Sequence, residues 1–290
     1  MCAVCDSVLP HVRATLQMGG KFVVQLIRFS FVVAFATVAS THVYANSPRL
    51  DDAQRAFFNA RYETASDLAL ALQDSDAGSL DAYEVRTSAL HFLLRDALGT
   101  GTDKDRAFKQ CASCATLLKA FLDDTAKGQS IARAQLDVDP RDITALFYLG
   151  KLNLNYVWLH VETLGRKTGW GEYWEARRSL DAALKNNPLH TRARVARAWV
   201  DYIVGTKMSR GTRWVLGGGS KKAALTSARE AAAADSDFFV RVEAEFALWE
   251  MLVRDRQLTE ATTIARRLAR DFPDNHKLAN FLKTAPSLRP

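Results

Sequence analysis

Small residues recur along this chain at a spacing that only a helix can use. Ala176, Leu180, Ala183 and Pro188 stand 4, 3 and 5 positions apart, and Ala261, Ala265, Leu268 and Pro273 repeat those intervals. Another copy, Ala224, Ala228, Ala231 and Ser236, has Ser in place of Pro, and Ala65, Ala69 and Leu72 make an N-terminal one. Positions i, i+4 and i+7 share a helix face, and small side chains there let a second helix approach closely. The closing Pro has no N–H to continue the helix. Another amphipathic segment precedes each of two copies, residues 142–152 before Ala176 and 243–253 before Ala261. The unit is therefore a helix pair, and the chain is an array of such pairs.

Asp139 and Pro140, then Ala145, Leu146, Leu149 and Gly150, followed by the Ala-x3-Leu-x2-Ala-x4-Pro run, resemble the two halves of a tetratricopeptide (TPR) repeat. The resemblance spans most of residues 50–283 as degenerate copies. It implies an all-α fold, a TPR-like right-handed superhelix (α-solenoid) of stacked antiparallel helix pairs. Helices are expected near 50–60, 62–73, 80–98, 103–125, 128–136, 141–165, 171–186, 190–205, 221–234, 238–254, 257–270 and 274–283. No stretch alternates with period two for long enough to argue for strands.

Two segments break the spacing. A regular repeat would place the small residue of its second helix 12 positions after Gly150, but Ala176 lies 26 positions after it. The extra residues fall within 153–171 and carry Tyr156, Trp158, His160, Glu162 and Trp170. A second irregular segment runs from Gly205 to Ser220. Insertions in such arrays map to one face, often the binding face.

The first 45 residues follow a different logic. Lys21 and Arg28 precede an uncharged apolar run from Phe29 to Ala39, and Val43-Tyr44-Ala45 then offers an A-x-A-like cleavage site. The run is shorter than the ~20 residues that cross a bilayer. Residues 1–45 are read as a signal peptide, with Met18 as an alternative start that would leave 1–17 outside the protein. Residues 46–290 are read as a single TPR-like helical-repeat domain, exported to the periplasm or cell envelope. Asn46, not Cys, would begin the mature chain, which argues against a lipidated N-terminus. Membrane association is expected only through an uncleaved leader.

Charge is uneven. Residues 166–229 hold 14 Lys or Arg against 4 Asp or Glu, while 46–165 hold 13 against 17 and 230–290 hold 9 against 10. All six Trp lie between 158 and 249, over the same basic block. Trp and Arg dominate binding energy at interfaces. The candidate partner-binding residues are therefore Trp158, Trp170, Trp174, Arg177, Arg178, Arg194, Arg197, Trp199, Arg213 and Lys221. The competing readings are aromatic packing under a long helix and a solvated basic face.

Other motifs resolve to structure. Cys111-Ala-Ser-Cys114 has redox spacing, but Thr102 as N-cap would put Cys111 two turns inside a helix, on one stripe with Ala107, Cys114 and Leu118. That reads as two buried thiols or a structural bridge, without catalysis. Glycines 217–219 before Lys221 lack the full phosphate-loop spacing, and Ser220 serves as an N-cap. His160 and Glu162, two apart on a helix, point to different faces. His91, His160, His190 and His276 have no metal-binding spacing, and no nucleophile motif occurs. No catalytic, metal or cofactor residue is assigned, and the chain is read as not an enzyme.

The expected function is a non-catalytic binding or scaffold protein of the bacterial cell envelope. Its partner would be a protein or peptide segment held on the concave face, and the basic middle favours an anionic envelope polymer or lipid surface over nucleic acid. The alternative is a periplasmic small-molecule-binding subunit of the TPR type associated with a solute transporter. Geometry separates them: a closed cavity lined by Trp158, Trp170, Trp174 and Trp199 favours the second, an open groove with exposed Arg the first.

Overall fold

The computed structural model describes residues 49–99, 101, 103–166 and 168–285. The leader lies outside the described residues. Among those described are thirteen α-helices, one π turn and no strand. The helices are α1 (Leu50–Phe58), α2 (Tyr62–Ser75), α3 (Leu80–Leu98), α4 (Lys104–Gln110), α5 (Cys114–Val138), α6 (Ile143–Trp158), α7 (Trp170–Asn186), α8 (Thr191–Lys207), α9 (Arg210–Val215), α10 (Lys221–Ala233), α11 (Phe238–Arg254), α12 (Leu258–Asp271) and α13 (His276–Thr284).

The packing order is that of a helix-pair solenoid. Each of α1, α3, α6, α8 and α11 packs on the helix that completes its pair, respectively α2, α5, α7, α10 and α12. Each second helix then packs on the first helix of the next pair, and the first helices α1, α3, α6, α8 and α11 also touch in sequence. The marked small positions explain this. Ala65, Ala69, Ala176, Leu180, Ala183, Ala228, Ala231, Ala261, Ala265 and Leu268 are fully buried. A Cβ on Gly150 would stand 2.7 Å from Leu180 Cγ, so the glycine sets how closely α6 and α7 meet.

Capping follows local chemistry. After the Asp139-Pro140 turn, Asp142 Oδ1 accepts from the N–H groups of Thr144 (2.8 Å) and Ala145 (3.0 Å) and starts α6. Ser220 Oγ accepts from the Ala223 N–H and starts α10, as its spacing predicts.

Four elements depart from expectation. The helix expected over 103–125 is capped by Asp103, which accepts from the Arg106 N–H, and it ends at Cys111, whose backbone is extended. Cys111 and Cys114 are joined by a disulfide across this break, with Cys114 the first residue of α5. The break expected between 125 and 128 is absent, and Gly128 lies within α5, where a Cβ would stand 2.7 Å from Leu152 Cδ1 and 3.1 Å from Tyr83 Cβ. The second irregular segment contains the short helix α9. The first lengthens α6 through the π turn Leu159–Thr163, which buries Leu159, His160 and Thr163.

Candidate functional site

The stack closes on itself. Asn275, at the start of α13, is buried, and its Nδ2 donates to the Phe58 carbonyl at the end of α1 (2.7 Å). The Asp274 N–H donates to Asn59 Oδ1 at 3.3 Å. Lys277 Nζ pairs with Asp96 of α3 at 3.1 Å and lies 4.7 and 4.8 Å from the ring centroids of Tyr62 and Phe92. The Phe58 ring stacks on Phe246 of α11 at 5.2 Å and also meets Phe272 at 5.6 Å. The first and last repeats therefore touch, and the face formed by the first helix of each pair lines a partly open cavity of about 460 Å³.

Every helix on this inner face contributes to the lining. The aromatic part comes from Phe57 and Phe58 of α1, Phe92 of α3, Trp158 of α6, Trp199 of α8, and Phe246 and Trp249 of α11. Its four most buried charges come one from each of four helices. Glu84 of α3, Lys151 of α6, Arg192 of α8 and Glu243 of α11 form a closed set in which each cation meets both acids. Lys151 Nζ is 2.6 Å from Glu243 and 3.7 Å from Glu84, while Arg192 is 2.5 Å from Glu243 and 3.1 Å from Glu84. Arg192 also donates to Tyr148 Oη and lies 4.6 Å from the Phe147 ring centroid. Burial alone would raise the Glu243 carboxyl, but the Arg192 and Lys151 cations outweigh it and hold the group down at about 2. Burial would likewise lower Lys151 and Arg192, yet Glu243 and Glu84 raise both above their usual values. Both cations stay charged, and two positive charges meet two negative ones inside the wall.

A second polar set lies higher on the same face. His91 Nε2 hydrogen-bonds Thr163 Oγ1 at 2.8 Å, and burial, with Arg95 and Lys277 nearby, lowers the imidazole to about 3, so it is neutral at pH 7. Arg254 pairs with Glu250 at 2.8 Å and Glu162 at 3.8 Å and lies 5.5 Å from the Trp199 ring centroid.

The candidate residues from sequence divide between this chamber and the outer surface. Trp158 and Trp199 line the chamber. Trp174 packs half-buried against the core between α6 and α8, and Trp170 is 54% exposed. Arg177 donates to the carbonyls of Leu216 and Gly217, Arg194 pairs with Glu230, and Arg197 pairs with Asp181 and Asp201. Arg213 donates to the Met208 carbonyl, Lys221 pairs with Asp255, and Arg178 is exposed. Six of the 14 cations of the basic block, Arg177, Arg192, Arg194, Arg197, Lys221 and Arg229, pair with acids among the described residues. As expected, His160 and Glu162 face different ways: His160 stacks on Tyr156 at 4.2 Å, and Glu162 is on the chamber rim.

Sequence reasoning missed Glu84, Lys151, Arg192 and Glu243 as a set, and it missed the phenylalanines. One signal was present. Lys151 is the only charged residue in α6, and a lone charge on an otherwise apolar helix needs a buried partner.

No protein-family model matches the sequence, and no curated protein matches it. Among solved structures, the chain is similar to a thermophilic TPR protein of Thermus thermophilus, with a TM-score of 0.46 and 16% identity over 82% of this chain and 97% of that one.

Proposed function

We propose that this protein is a non-catalytic binding protein that encloses an uncharged, largely apolar small molecule in its central chamber. One observation carries the reading: the contact of α13 with α1 and α3 narrows the concave face into a partly open cavity. Its volume, about 460 Å³, falls within the roughly 300–1,000 Å³ of small-molecule sites. The charges deepest in the wall are already paired with each other, and aromatic side chains, with the more exposed Arg95, Glu162, Glu250, Arg254 and Lys277, make up much of the rest of the lining. An ionic ligand reaching the deep wall would have to break buried pairs, and removing one partner of such a pair costs about 3–5 kcal/mol. This supports the small-molecule alternative over a scaffold gripping an extended segment. Export to the envelope is part of the proposal and rests on the leader alone. An anion site within the chamber has little support, because the acids named above pair with six of the 14 cations of the basic block, Arg192 of the chamber wall among them.

The test is equilibrium binding of the neutral fluorophore N-phenyl-1-naphthylamine and of a long-chain alcohol beside its carboxylate. The expected result is saturable one-to-one binding, with the alcohol tighter than the acid and Trp199→Ala weakening both by about tenfold, the loss of one well-buried apolar contact. Absence of saturable binding, or a preference for the carboxylate, would sink the reading.

A further inference from the structure

The second segment that interrupts the repeat spacing is fastened to α7, the helix that begins where the first one ends. Tyr173 Oη and Arg177 of α7 donate to the Leu216 carbonyl, each at 3.0 Å, and Arg177 also donates to the Gly217 carbonyl at 2.7 Å. The end of α9 is thus fastened to the first two turns of α7, and Trp170 is the first residue of α7. Leu216 anchors this junction in the core at 3% exposure.

What the junction presents outward is unusual. Seven large hydrophobic side chains are exposed among the described residues, and four belong to these two segments: Val161 at 40%, Trp170 at 54%, Trp214 at 83% and Val215 at 61%. The surrounding sequence is predominantly cationic. Residues 153–171 and 205–222 contain Arg166, Lys167, Lys207, Arg210, Arg213, Lys221 and Lys222 against one acid, Glu162, with Glu172 just beyond. Lys221 reaches out of its segment to Asp255. On the neighbouring helices, by contrast, Arg194, Arg197 and Arg229 each have an acid partner.

Exposed indoles within predominantly basic segments match one kind of surface. Indole rings favour the boundary between an apolar and a wet phase. Lys and Arg near an anionic leaflet each gain about 1 kcal/mol. A cationic surface without exposed tryptophan would fit any polyanion, and exposed tryptophan without charge would fit an apolar protein patch. The combination fits an anionic bilayer. No described helix is long and apolar enough to cross a membrane, so the contact is peripheral.

We propose that this edge, with Trp170, Trp214 and Val215 exposed in segments where cations far outnumber acids, docks the protein on the surface of a bilayer containing anionic lipid. It differs from the expectation that only an uncleaved leader could reach the membrane, and it does not depend on what fills the chamber.

The test uses the chain from Asn46 onward, a compact unit that holds every described helix without the apolar leader. It is mixed with vesicles of phosphatidylcholine, alone or with phosphatidylglycerol, and followed by co-sedimentation and tryptophan emission. Binding to the anionic vesicles with a blue shift, weakening as salt rises, is expected. The double variant Trp170→Ala/Trp214→Ala should partition about tenfold less or weaker still, with unchanged circular dichroism and melting, since both rings lie outside the core. No partition into anionic vesicles overturns the proposal. So does partition that the double variant retains, or that polyglutamate abolishes in both forms equally, which would mark a plain polyanion site.

Discussion

A methyl group at position 150 would meet Leu180 Cγ at 2.7 Å and the Ala176 carbonyl at 3.3 Å. Gly150→Ala must push α7 off α6 or force Leu180 from its rotamer, at about 1–3 kcal/mol. Urea unfolding should show a lower midpoint with unchanged slope. At His91 the effect is electrostatic. Its folded pKa, about 3, lies below the usual 6.5, so protons bind the unfolded chain first as pH falls. Stability is therefore full above pH 6.5 and declines from there toward pH 3, by about 3 kcal/mol at pH 4.5. His160 and His190 are also lowered by burial and add to the slope. The measurement is a difference: His91→Gln should flatten the decline between pH 7 and 4.5 relative to the parent, and an identical slope would contradict it. The repeat glycine was legible because its neighbours in sequence repeat. The burial of His91 was not, because Thr163, Arg95 and Lys277 reach it only after folding.

At the scale of elements, most helices could be read from the 4-3-5 spacing, because that spacing encodes their contacts. The errors lay where a residue has two uses. A break is expected between 125 and 128, but α5 runs through it, with Gly128 admitting Leu152 and Tyr83. Cys111 and Cys114 form the bridge that is one of their two readings, but at a break between α4 and α5 and not inside a single helix. That bridge closes so short a loop that chain entropy assigns it only about 2 kcal/mol. Cys111→Ser/Cys114→Ser should therefore lower the unfolding midpoint modestly and leave binding of a neutral fluorophore unchanged, since neither cysteine lines the chamber. The buried charge set is a stronger clamp. Each of its members comes from a different helix, so Glu243→Gln leaves Lys151 and Arg192 with Glu84 alone. A loss of about 3–5 kcal/mol is expected. A near-neutral result in chemical unfolding would mean that water reaches these cations.

Ring closure belongs to the whole molecule, and no local pattern announces it. It depends on curvature summed over all the helix pairs, including the lengthened α6, and on contacts between residues more than 200 positions apart, such as Asn275 with Phe58. The candidate site was therefore half legible: Trp158 and Trp199 were chosen for aromatic density, whereas the phenylalanines of α1 and α11 face them only because the ends meet. Closure also changes how stability is shared. In an open solenoid each repeat feels only its neighbours, and the ends unfold independently. Here α1 should depend on α13. Asn275→Asp isolates that link, because a carboxylate still accepts the Lys277 and Leu278 N–H groups that cap α13 but cannot donate to the Phe58 carbonyl. Losing that bond and burying an acceptor against it costs about 1–2 kcal/mol, which corresponds to a roughly 5–30-fold rise in local opening. Hydrogen exchange should accelerate by that factor in α1, at the opposite end of the chain, while α13 stays capped. Acceleration confined to α13 would mean that the ends do not support each other in solution, and the chamber would then be an open groove.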